Sequence, residues 1–170
     1  MGLKLLIYLI KRITAAIVII FLIALAFTIG YDWANVYVIL NEGLTKQASI
    51  VLNRGVIYQL SDLFTHNYIA TEPLLNNNPF ENFIITDYDQ RIKVKWLWVW
   101  PWENTVEVTV DEEILNIHGK AEKTQGEDQD EGEMKLPQWE NGEKLVVLKK
   151  NQRRWKIDKI LLKEPIQQAE

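Results

Sequence analysis

Apolar residues follow three different spacings in this sequence. Residues 13–31, ITAAIVIIFLIALAFTIGY, form a run without a charge, bounded by Ile13 and Tyr31. At about 1.5 Å of rise per residue the run reaches roughly 28 Å, close to the hydrocarbon thickness of a bilayer, and predicts a membrane-spanning helix. From residue 32 to 52 the spacing falls to threes and fours, with Val36, Ile39, Leu40, Leu44, Ala48, Val51 and Leu52 on one side. That predicts a helix with one apolar face, in which Gly43 is the point of kinking or interruption. Asn53-Arg54-Gly55 is a helix stop, with Gly55 suited to the left-handed residue past the last turn. A second helix is expected over residues 56–68, with Ile57, Leu60, Phe64 and Tyr68 in a stripe. Glu72-Pro73 and Asn76-Asn77-Asn78-Pro79 then open a loop.

Beyond Pro79 the period becomes two. Residues 83–88 predict a short strand closed by a turn at Asp89 and Gln90. In the longer strand that follows, Ile92, Val94, Trp96, Trp98 and Trp100 alternate with Arg91, Lys93, Lys95, Leu97 and Val99. Its tryptophan face is expected to cover the helices, with Trp96 and Trp98 in the core and Trp100 and Trp102 either buried or exposed at the turn Pro101-Trp102-Glu103-Asn104. Val106, Val108 and Val110 point inward from the returning strand, which pairs with the tryptophan strand as an antiparallel hairpin. Residues 114–118 continue strand structure. Residues 119–134 are acidic, carry no large apolar residue before Met134, and read as a mobile loop. Residues 144–150 and 155–163 make a closing hairpin across Asn151-Gln152. There the apolar phase slips from Trp155 and Ile157 to Ile160 and Leu162, the mark of a bulge. Pro165 ends the strand, and residues 166–170 are a polar tail.

Charge orients the span. Lys4, Lys11 and Arg12 precede it and Asp32 follows it, with Tyr31 and Trp33 where interfacial aromatics belong. The positive-inside rule makes residues 1–12 a short cytoplasmic tail and puts everything after Tyr31 outside the cytoplasm, in a single-pass protein of the plasma (inner) membrane. The competing reading is a cleavable signal peptide with Ala24-Leu25-Ala26 as its small-x-small site, giving a secreted domain. Apolar character that continues past Ala26 through Phe27 and Ile29 favours the anchor. The chain carries a formal net charge of -4, and its first 31 residues hold bases and no acids, so the remainder is more acidic than the whole. A global nucleic-acid footprint is excluded on that balance.

Cysteine is absent, which removes disulfides, thiol nucleophiles and Cys-ligated zinc. His66 and His118 stand without a second ligand at metal spacing, and neither a Gly-x-Ser-x-Gly elbow nor a phosphate-cradling glycine loop occurs. No cofactor, metal or catalytic residue is assigned, and the chain is read as non-enzymatic.

Leu60-Ser61-Asp62-Leu63-Phe64 after a glycine-broken helix, together with the terminal tryptophan strand Trp155-Lys156-Ile157-Asp158-Lys159-Ile160, resembles the NTF2-like superfamily. That resemblance implies an α+β fold over residues 43–165, with helices packed on a curved antiparallel sheet that wraps into a cone, behind a juxtamembrane helical connector at 32–42. Short tail, one span and external domain are also similar in architecture to the inner-membrane assembly factors of type IV secretion and their Gram-positive conjugation relatives. The secretion likeness sharpens the reading of the chain as an anchored module that binds a protein partner or a second copy of itself.

Two groups of candidate residues follow. Trp100 and Trp102, with Lys149, Lys150, Arg153 and Arg154 at the basic hairpin tip, are candidate contacts to a partner or to the membrane. Tyr58, Tyr68, Asp87 and His118 are candidate lining of a cone pocket, should the domain be an anchored small-ligand binder or enzyme instead.

Overall fold

The computed structural model describes residues 2–122, 135–152 and 154–165. Its organising element is α1 (Gly2–Leu52), about 76 Å long at the usual rise. Among the described residues it is the one helix long and apolar enough to cross a membrane. Side chains of residues 13–31 stand exposed or, at Leu25 and Ile29, partly exposed. Burial begins at Asp32 and recurs at Val36, Leu40, Leu44, Gln47, Ala48 and Val51, the face that the threes and fours predicted. Residues 32–42 therefore belong to the domain packing as well as joining it to the exposed apolar run.

Gly43 does not interrupt α1. A Cβ there would lie 2.5 Å from Ile157 Cδ1 and 3.5 Å from the Phe64 ring, so the glycine lets helix and sheet approach closely. At the helix end the left-handed residue is Arg54, with φ 55°, and not Gly55. Gly55 donates its N–H to Ile50 O at 2.9 Å, and a Cβ on it would press to 2.9 Å from Ile50 Cγ1.

The expected helix over residues 56–68 is replaced by a short 3-10 turn, Ile57–Leu60, and by α2 (His66–Thr71), followed by α3 (Pro73–Asn76). Between them the chain makes a turn over residues 61–63, and then Phe64 forms a parallel bridge with Ile157. Ile157 N donates to Leu63 O and Thr65 N to Ile157 O, both at 2.8 Å. Thr65 then caps α2 by accepting from Tyr68 N at 3.2 Å. Pairing with the sheet edge outweighs local helical preference here. Leu60, Phe64 and Tyr68 are buried as their spacing predicted, whereas Ile57 of the same stripe is exposed.

Four strands form an antiparallel curved sheet in the order β1 (Phe83–Trp96), β2 (Thr105–Ala121), β3 (Gly142–Asn151) and β4 (Arg154–Pro165). α1 packs on it, and Val106, Val108, Val110, Val146, Leu148, Trp155 and Ile157 meet the helix in one core. β1 runs straight through Asp89 and Gln90, where a turn was expected. Register shifts on either side of Asp87 absorb the irregularity, and Asn116, left-handed at φ 53°, donates to Asp89 Oδ2 at 2.9 Å across the pair.

A further shift between Val94 and Trp96 reverses the tryptophan face. A bulge displaces every later side chain to the opposite side. Leu97 and Val99 are buried, while Trp96 and Trp98, expected in the core, are exposed at 74% and 46%. Of the two register shifts between β3 and β4, the one between the pairs Val147↔Lys159 and Leu148↔Ile157 lies where the apolar phase predicted it. The acidic segment begins as the end of β2, and residues 123–134 lie outside the described residues.

Candidate interaction surface

Where its burial begins, α1 delivers two side chains to the sheet. Asp32, 5% exposed, accepts from Lys150 Nζ at 3.0 Å on each carboxylate oxygen and from Trp155 Nε1 at 3.1 Å. Lys150 Nζ also lies 5.2 Å from the centre of the Trp155 ring. Anion, cation and indole close the helix onto the β3–β4 hairpin through charge-assisted bonds. One residue further on, Trp33 stacks on Tyr37 at 5.7 Å and donates Nε1 to Leu97 O at 3.2 Å. The same level of the helix thereby holds the segment joining β1 to β2.

That segment, residues 97–104, turns its apolar side chains two ways. Leu97 and Val99 go inward, and Trp98, Trp100 and Trp102 go outward. Trp98 meets Trp100 edge-on at 5.4 Å, and Trp100 stacks on Trp102 at 4.9 Å. Glu103 fixes the turn, donating its N–H to Trp100 O and accepting Trp100 N–H on Oε2, both at 3.0 Å. Lys150 N donates to Asn104 O at 2.8 Å, which joins the loop to β3. Both hairpin ends therefore lie side by side against residues 32 and 33.

The candidate contact residues thus converge on one end of the domain. Trp100 and Trp102 are 38% and 67% exposed, and Arg154 is exposed at the start of β4. The two lysines are not free cations. Lys150 is held by Asp32, and Lys149 Nζ lies 2.7 Å from Asp158 Oδ2. Burial pushes the Asp158 carboxyl up, but Lys149 and the Thr65 hydroxyl outweigh it and hold the group below the usual carboxylate range. Arg153 lies outside the described residues.

The candidate pocket residues are not brought together. Tyr58 is 72% exposed on the 3-10 turn. Tyr68 is buried and accepts from Gln47 Nε2 at 2.7 Å. Burial and the nearby Glu72 carboxylate push its phenol far above the ordinary range, so it braces the core in its neutral form. Asp87 and His118 face each other across β1 and β2, exposed to solvent, at the end of that hairpin remote from its loop.

Sequence reasoning missed the polar interior. Glu112 and Lys144 pair at 2.6 Å with side chains 2% and 8% exposed. Gln90 Nε2 donates to the other Glu112 oxygen at 2.8 Å, and Lys144 Nζ lies 5.6 Å from the Trp139 ring centre. The alternation of Val106, Val108 and Val110 carries on to Glu112, so parity alone pointed this acid inward. A hollow of about 510 Å³, lined by Ile114, Asn116, Ile117, Trp139 and Asn141, opens beside this pair's strands. Asn141 clamps β2 there, accepting from Ile114 N at 2.6 Å and donating to Ile114 O at 3.0 Å. Among the described residues no three His, Cys, Asp or Glu side chains gather to hold a metal.

No family model, curated protein or solved structure matches this chain.

Proposed function

We propose that the protein is a membrane-anchored binding or assembly module, non-enzymatic, whose α+β domain acts outside the cytoplasm through protein–protein contacts. The observation that carries this reading is the unbroken course of α1 from an exposed apolar run into the core of the sheet domain. A domain continuous with its anchor is held at a fixed height and angle above the bilayer, which suits a positional role. The domain is read as NTF2-like on the packing of this helix against a curved sheet, and the basic residues before the span support an inward amino terminus.

A contact surface is available on β4. Its inner half is capped by residues 63–65, whereas Ile160 to Pro165 form the sheet edge beyond them, with Leu161 and Leu162 exposed at 51% and 41%. Edges of this kind pair with a strand from another chain or another copy. The test is a photoreactive residue at Leu161 in the full chain, irradiated in intact membranes. The expected result is a self-adduct or one defined protein adduct, lost when Leu162→Lys places a charge on the same edge. Lipid adducts alone would overturn the reading.

A second reading, an anchored small-ligand binder, is favoured by one observation. Trp139 Nε1 is buried without an acceptor among the described residues, and Trp139 lines the 510 Å³ hollow. A small acceptor-bearing ligand that quenches Trp139 fluorescence, and not that of a Trp139→Phe chain, would establish this reading.

A further inference from the structure

We infer that the loop carrying Trp98, Trp100 and Trp102 is a second membrane contact, seated in the interface of the leaflet from which α1 emerges. The inference rests on the reading of residues 13–31 as a span, and on nothing assumed about a protein partner. Its first ground is height. Trp33 lies two positions past Tyr31, about 3 Å further along a helix axis, and its indole N–H is bonded to Leu97 O at 3.2 Å. The loop backbone is thus held level with the end of the apolar run, where the hydrocarbon gives way to headgroups.

The second ground is composition. The bulge after Val94 turns three tryptophans outward, with Trp100 in contact with both Trp98 and Trp102, while Tyr31 and Trp33 on the helix are 69% and 44% exposed. Tryptophan and tyrosine prefer the headgroup level, where an apolar ring and a polar N–H or O–H both find partners. In water the same cluster would be an exposed apolar patch at the rim of the domain.

Charge is the third ground. Lys150, bonded to the residue at which α1 enters the domain, is neutralised by Asp32, and Lys149 by Asp158. The Glu103 carboxylate is turned to the Trp100 amide. The two lysines at the tip therefore meet lipid already paired, at a smaller desolvation cost than free cations would carry, while exposed Arg154 is a cation available to lipid phosphates. Continuity with the span selects the bilayer as occupant over a protein: a partner's surface would have to insert between the loop and headgroups already at the same level.

Because the chain contains no cysteine, single nitroxide labels report depth cleanly. The full chain would be reconstituted at low density in phosphatidylcholine vesicles with a label at Asn104→Cys, keeping all three tryptophans. Controls would carry labels at Phe21→Cys in the span and at His118→Cys on the far end of the sheet. The expected result is an oxygen-to-nickel collision ratio at Asn104 several-fold above that at His118 and below that at Phe21. It should fall several-fold toward the His118 level when Trp98, Trp100 and Trp102 are all changed to Ser, substitutions at exposed positions that leave the core and the Trp33–Leu97 bond intact. A water-like ratio at Asn104 with a hydrocarbon-like ratio at Phe21 overturns the loop contact and leaves the span standing. Water-like ratios at both positions mean that the span reading itself has failed. Spin–spin broadening at Asn104 without lipid protection means that a second copy covers the loop, which also overturns the inference.

Discussion

Glu112 and Lys144 are the ionised side chains this fold buries most completely as a pair, and their energetics are asymmetric. Removing one partner strands a charge in the core, at a cost of about 3–5 kcal/mol, whereas replacing both by apolar residues of similar size is often neutral. Glu112→Leu alone should therefore lower the unfolding midpoint of the purified chain sharply, and Glu112→Leu with Lys144→Met should recover most of the loss. Denaturant melts of the native, single-variant and double-variant chains measure it; equal losses in the single and double variants would mean that the pair is a structural necessity through Gln90. The acid was legible in the alternation of β2, since Val106, Val108 and Val110 set the parity. Its partner was harder to see, because Lys144 stands in a basic stretch where every lysine looks alike until the register Val110↔Lys144 and its diagonal to Glu112 are known. The tryptophan face was misread for a related reason. A bulge carries no residue signature in β1, so nothing before the structure distinguished Trp96 as the position where inside becomes outside.

At the scale of elements, the helix–sheet contact depends on one absent methyl group. Ile157 is fully buried and bonded through its backbone to Leu63 and Thr65, so it has little freedom to yield to a Cβ at Gly43. Alanine would raise local helix propensity by about 1 kcal/mol, but overpacking of this kind costs typically about 1–3 kcal/mol. Gly43→Ala is expected to destabilise. Ile157→Val removes the clashing Cδ1, so it should cost about 0.5–1.5 kcal/mol in the native chain and nothing, or less, in a chain already carrying Gly43→Ala. A double-mutant cycle reads that coupling directly, and simple additivity would show that α1 can shift away from β4. The course of α1 was legible as two helical stretches, one charge-free and one amphipathic. Their fusion was not, because the glycine that reads as a break is explained only by a residue 114 positions later in the chain. A similarly long separation hid the bridge between Phe64 and Ile157, which interrupts a stretch whose own spacing is helical.

For the whole molecule, the question is whether the anchor only concentrates the domain or also sets its pose. Burial starts at Asp32, and the attachments of Asp32 and Trp33 to the sheet are complete within residues 32–165. A flexible Gly/Ser insertion between Tyr31 and Asp32 should therefore leave the domain's unfolding midpoint nearly unchanged, because the burial and side-chain attachments of the helix to the sheet start at Asp32 and lie after the insertion. The insertion would keep the local concentration high, since short flexible tethers hold their ends at effective concentrations of about millimolar. It would also free the domain to rotate and rise. If the protein works by position, the adduct formed from a photoreactive Leu161 in intact membranes should fall several-fold, although the domain is folded and still tethered. Full adduct yield after insertion would show that tethering suffices, and that the rigid passage of α1 into the sheet serves stability alone. Repeating the insertion with Trp98, Trp100 and Trp102 changed to Ser separates the two constraints on pose. A domain still held by its loop should lose only part of its yield on insertion, and should lose the rest when the tryptophans go.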